Sequence, residues 1–108
     1  MKILFDTNTP APLARYLRGF EVTLAVHLGW DSLENGALLS AAEAAGFDLL
    51  ITCDQNIPYQ QNFTDRRIAL IVLSSNRWPL IRPVAPRIAL HVDSIQPSQI
   101  RRLDVRAL

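Results

Sequence analysis

The sequence predicts an α/β fold, a compact three-layer domain in which a mostly parallel sheet of about four or five strands is flanked by helices. Three observations predict it. Short apolar runs alternate with helical patterns along the chain. The run Ile68–Leu73 is apolar on both faces, as a central parallel strand requires. Three apolar runs also end abruptly in polar turns: Asp6-Thr7-Asn8, Cys53-Asp54-Gln55-Asn56 and Ser74-Ser75-Asn76-Arg77. At 108 residues, the chain suits a single domain spanning 1–108.

Each element has a local reason. Lys2–Phe5 is a short apolar strand stopped by a polar turn. Pro10 and Pro12 open a helix whose apolar face would be Leu13, Leu17 and Phe20. Glu21–Val26 alternates as a second strand does. Asn35 is placed to cap a helix that runs through Ala45 and ends at Gly46. Phe47–Thr52 is the third strand and Ile68–Leu73 the fourth. Ile81 to Val92 has a helical pattern, with Pro83 and Pro86 bending its first turns, and Gln99–Val105 would add an edge strand.

Composition narrows the function classes. With 49% hydrophobic and 19% charged residues, the chain is not of disordered type. No apolar run approaches the ~20 residues of a membrane span, and Asp6 interrupts the opening run before a secretory core could form. A single cysteine, Cys53, cannot form an internal disulfide and suits a reducing, cytoplasmic setting. The net charge of +1 conceals an asymmetry. Residues 1–63 carry three basic against seven acidic side chains, whereas residues 64–108 carry eight arginines against three acids. Arginine has the shape for bidentate phosphate contact, so the pattern fits a cation site beside a polyanion-binding surface. Scattered, solvated arginines would give the same arithmetic.

In an open α/β sheet, ligands bind where the strands' carboxyl ends meet a reversal of strand order. Asp6 and Asp54 then converge if the first and third strands are neighbours, and two close carboxylates favour a cation between them. Oxygen donors of this kind suit Mg²⁺ or Mn²⁺, which can activate water and stabilise charge on a phosphodiester. The alternative is that both aspartates only terminate strands and cap the helices after them. Asn8, Gln55, Asn56, Gln60 and Gln61 are amides around these acids, able to position water and phosphate or to tie down the loop. Asn76 and Arg77 come after the fourth strand, where Arg77 could grip phosphate, and Trp78 could either stack on a base or anchor the loop in the core. Cys53 lacks a histidine neighbour and sits beside an acid, which discourages a thiolate nucleophile. His27 and His91 have no metal-ligand spacing, and no glycine-rich nucleotide loop is present.

The opening Met-Lys-Ile-Leu-Phe-Asp6-Thr7-Asn8 resembles that of PIN-domain nucleases, including VapC-type toxins, and the chain is similar over roughly residues 1–82 to small bacterial PIN-like proteins. The similar segments are Gly29-Trp30 through Asn35-Gly36 with Leu38-Leu39, then Ile51-Thr52-Cys53-Asp54-Gln55-Asn56, Tyr59-Gln60-Gln61-Asn62 and Asn76-Arg77-Trp78-Pro79. The resemblance implies a PIN-like fold and a metal-dependent ribonuclease, the toxin of a toxin–antitoxin pair. Asp6 and Asp54 match the family's first and central acids and would hold Mg²⁺ or Mn²⁺. Asn8, Gln55, Asn56, Gln61, Asn76 and Arg77 would contact substrate. The implied partners are RNA and a small DNA-binding antitoxin; a homodimer is admissible and a membrane is not implied. One departure stands out: Ala37 occupies the position after Asn-Gly where related sequences commonly carry Glu. Glu34, one turn earlier, either supplies a third catalytic acid or is an exposed residue at a helix start. Asp65 is a weak candidate for a fourth. The alternative function is therefore a catalytically weakened PIN-like module that binds protein or nucleic acid.

Overall fold

The computed structural model describes residues 1–60, 62–63 and 65–108, with Tyr59 and Gln60 described through their backbone. Five strands form one sheet: β1 (Lys2–Phe5), β2 (Glu21–Leu24), β3 (Leu49–Thr52), β4 (Ala69–Leu73) and β5 (Ile100–Leu103). All pair in parallel, in the order β2-β1-β3-β4-β5. The helices are α1 (Asn35–Ala44), α2 (Ile57–Gln60), α3 (Trp78–Ile81) and α4 (Ala85–Ser94), with 3₁₀ segments at Ala11–Tyr16, Ala25–Leu28 and Arg82–Val84. The α/β architecture expected from the sequence is thus present, and its sheet is wholly parallel.

Side-chain alternation builds the two cores. Ile3, Phe5, Leu49, Ile51, Ile71 and Leu73 face one layer, where they meet Leu13 and Leu17 and the buried stripe Ile81, Ile88 and Val92. Leu4, Leu50, Leu70 and Val72 face the other, against Leu38, Leu39 and Ala42 of α1, Ile57 and Phe63. Every residue of β3 and β4 is buried, which explains why neither strand shows a polar face. Truncating any of their leucines to alanine should cost about 2–5 kcal/mol.

Several boundaries differ from the sequence expectation, each for a local reason. The helix expected after Pro10 is a 3₁₀ segment ending at Tyr16, closed by the Leu17 N–H donating to the Ala14 carbonyl at 3.1 Å. Pro10 and Pro12 provide no N–H donors there, and a short tight turn suffices to bury Leu13 and Leu17. β2 stops at Leu24 because the chain turns into the 3₁₀ segment closed by Gly29 at φ 72°. Pro83 and Pro86 divide the expected 81–92 helix into α3, a 3₁₀ turn and α4. Asn35 does not cap α1; Glu34 holds the cap position through its backbone, and Asn35 is the first helical residue.

Candidate active site

The order of strands locates the site. β1 lies between β2 and β3, so the chain reverses its travel across the sheet at the β1/β3 boundary. There Phe5 is opposite Ile51, and the Asp6 N–H extends the ladder to the Ile51 carbonyl at 3.0 Å. Asp6 therefore emerges beside Thr52, the last residue of β3.

Thr52 joins the two aspartates. It is fully buried, and its hydroxyl donates to Asp6 Oδ2 at 2.7 Å while accepting the Asp54 N–H at 3.0 Å. The other oxygen of Asp6, Oδ1, accepts the Thr7 N–H at 2.8 Å. Asp54 Oδ1 accepts the Asn56 N–H at 2.9 Å, an Asx turn, and its Oδ2 accepts Asn35 Nδ2 at 3.2 Å. Strand, turn and helix thus all fix these carboxyl groups. Each carboxylate has about four acceptor positions, of which these bonds occupy two, so both aspartates can still accept ligands.

The amides divide by role. Asn8 Oδ1 accepts the Cys53 N–H at 3.0 Å, and Gln55 Nε2 donates to the Leu73 carbonyl at 2.7 Å and the Cys53 carbonyl at 3.0 Å. These two side chains tie the turns after β1 and β3 to the neighbouring backbone. The side chains of Asn56, Asn76 and Arg77 are exposed on the same edge. Gln61 lies outside the described residues, as do the side chains of Gln60 and Tyr59. Trp30 meets Phe47 edge-on at 6.1 Å and packs against a core cluster, so it is an anchor.

The other acids lie elsewhere. The Glu34 side chain is exposed and makes no hydrogen bond among the described residues, although its carbonyl accepts the Leu38 N–H at 2.7 Å. Asp65 borders a surface hollow with Ser40, Glu43, Asn62 and Arg66. Among the described residues, no three His, Cys, Asp or Glu side chains gather where one metal ion could be held. Asp6 and Asp54 are linked through Thr52, by the carboxylate of the first and the backbone N–H of the second. Such a pair still fits Mg²⁺ or Mn²⁺, since Mg²⁺ commonly takes one or two carboxylates and completes its shell with water and substrate phosphate.

Cys53, between Thr52 and Asp54, is held as a thiol at neutral pH. Burial pushes its thiol up from 9.0 to about 11, a hydrogen bond with Thr9 partly opposes this, and the charge of Asp6 adds to it. Its Sγ donates to the Ser75 carbonyl at 3.5 Å. Neither the bond of Thr52 to Asp6 nor that of Asn35 to Asp54 follows from the residue order. The available signal was a threonine closing an all-apolar strand, because a buried hydroxyl requires partners.

Among protein-family models, curated proteins and solved structures, none matches this chain. The arginines of the C-terminal half also separate by role. Arg66 pairs with Glu43 at 2.8 Å, and Arg101 donates to the His91 carbonyl at 3.2 Å and to Ser94 Oγ at 2.7 Å, closing the end of α4. The arginines behind the sequence asymmetry thus differ in whether their guanidinium groups are engaged within the protein.

Proposed function

We propose that the chain is a metal-dependent ribonuclease of PIN-like type, with its centre at the carboxyl edge of β1 and β3. One observation carries this reading: at the reversal point of a parallel sheet, the buried Thr52 hydroxyl bonds both the Asp6 carboxylate and the Asp54 backbone N–H. Asp6 and Asp54 would hold Mg²⁺ or Mn²⁺, which when bound supplies activation of water and neutralisation of charge developing on a phosphodiester. Thr52 fixes the orientation of Asp6, and Asn35 that of Asp54. Asn76 and Arg77, exposed on the loop after β4, offer an amide and a guanidinium to the phosphate. Asn8 and Gln55 act as positioning residues, since both hold turn backbone. In the toxin role, expression would arrest growth and a small DNA-binding antitoxin would relieve the arrest.

The test is cleavage of labelled single-stranded RNA with Mg²⁺ or Mn²⁺ against excess chelator. Asp6→Asn and Asp54→Asn should each lower cleavage on the order of a hundredfold or more while retaining the fold. Cleavage that persists in chelator would overturn the metal assignment. A second reading, a binding module without cleavage, is favoured by the exposed Glu34 side chain, which makes no hydrogen bond among the described residues, and by Ala37 near it in the first turn of α1. Wild-type protein that binds RNA but leaves it intact with either metal would select that reading.

A further inference from the structure

On the opposite layer from α1 lies a cleft of about 700 Å³ lined by Arg15, Tyr16, Arg18, Trp78 and Arg82. Local structure produces it. Leu13 and Leu17 are buried beneath the 3₁₀ segment Ala11–Tyr16, so the intervening Arg15 and Tyr16, and Arg18 just beyond, are exposed. Ile81 is buried in the same core cluster, and Arg82 continues from it into solvent. Tyr16 and Trp78 meet across the cleft with ring centroids 6.0 Å apart at 53°. Two of the three arginines come from the acidic half of the sequence, so charge counting along the chain could not place them together.

Three features specify the ligand. All three arginines are exposed, and among the described residues none uses its guanidinium in a hydrogen bond or ion pair. No acidic side chain is among the described residues lining the cleft. Such a concentration of positive charge favours an anion, and guanidinium matches phosphate in bidentate geometry. The partly exposed Tyr16 and half-buried Trp78 add an aromatic surface, which a simple anion or an acidic peptide does not require. A single strand brings phosphates and unstacked bases together, whereas a duplex keeps its bases stacked inside.

We infer that this arginine–aromatic cleft binds single-stranded nucleic acid, with Arg15, Arg18 and Arg82 on the phosphates and Tyr16 with Trp78 against a base. The inference is independent of the metal reading, because binding in chelator and cleavage with metal are separate measurements. Fluorescence anisotropy of short labelled ribo- and deoxyribo-oligomers of one sequence tests it, across a salt series in chelator. Removing all three arginines (Arg15→Gln, Arg18→Gln, Arg82→Gln) should reduce the slope of log affinity against log salt by about 2, roughly 0.7 for each phosphate contact. Tyr16→Ala should weaken binding about tenfold and leave that slope unchanged. Tighter binding of the ribo- or the deoxyribo-oligomer identifies the natural strand, and equal binding supports a general single-strand site. An unchanged salt slope in the triple variant, with its circular dichroism native, overturns the inference. So does poly-glutamate binding as tightly as an oligonucleotide of equal charge, which would indicate an acidic protein partner instead.

Discussion

The carboxylate corner and the arginine cleft leave the same sheet by different faces and are built on opposite principles. Around Thr52, both oxygens of Asp6, both oxygens of Asp54 and the hydroxyl itself are engaged within the protein. In the cleft, the guanidinium groups of Arg15, Arg18 and Arg82 have no partner among the described residues. The first arrangement holds charge in fixed positions, as a site acting on one atom needs. The second offers charge on long, unrestrained side chains, which suits a ligand whose backbone can take many registers. The corner should therefore contribute to stability and the cleft should not.

Between corner and cleft, the largest effect is expected at Thr52. Thr52→Val preserves the shape but removes a charge-assisted bond to Asp6 and leaves the Asp54 N–H without its acceptor. Urea unfolding should show a loss of about 2–3 kcal/mol, and Thr52→Ser should recover most of it. A valine variant as stable as the wild type would mean that the corner is not preorganised by this hydroxyl.

A smaller effect concerns Cys53 and pH. Its thiol is raised from 9.0 to about 11 in the folded chain, first by burial. The unfolded chain therefore loses this proton at lower pH than the folded one. The associated stability is fully present below about pH 9 and falls as pH rises toward 11. Cys53→Ala should remove this component from a pH series of unfolding midpoints. In the same range, alkylation of wild-type Cys53 should stay slow at neutral pH and accelerate toward pH 11.

The smallest effect belongs to the cleft. Replacing Arg15, Arg18 and Arg82 by glutamine should change stability by no more than about 0.5 kcal/mol for each, since exposed side chains without partners contribute little. A larger loss in the same urea experiment would show that the cleft carries structural interactions and would erase the contrast with the corner.

Much of the architecture is legible in residue order. The apolar runs ending at Phe5, Thr52 and Leu73, the doubly apolar character of β4, and the turn residues after them specify a parallel α/β sheet, because burial on both faces demands uninterrupted apolar side chains. The same turns expose Asp6 and Asp54 as carboxylates at strand ends. Prolines at 83 and 86 announce a bend in the first turns of the 81–92 helix, but not the full division into α3, a 3₁₀ turn and α4 that occurs there. Partnership, by contrast, was absent from the residue order. Thr52 became the link between two acids only when β3 was laid beside β1 in the register Phe5 opposite Ile51. Asn35 turned from an expected cap into a ligand of Asp54 because α1 packs across that face, and Arg15 and Arg18 joined Arg82 because Leu13, Leu17 and Ile81 share one buried cluster. Local propensity is written in neighbouring residues, whereas hydrogen bonds and charge clusters across 19, 46 or more positions exist only once hydrophobic burial has chosen which faces meet.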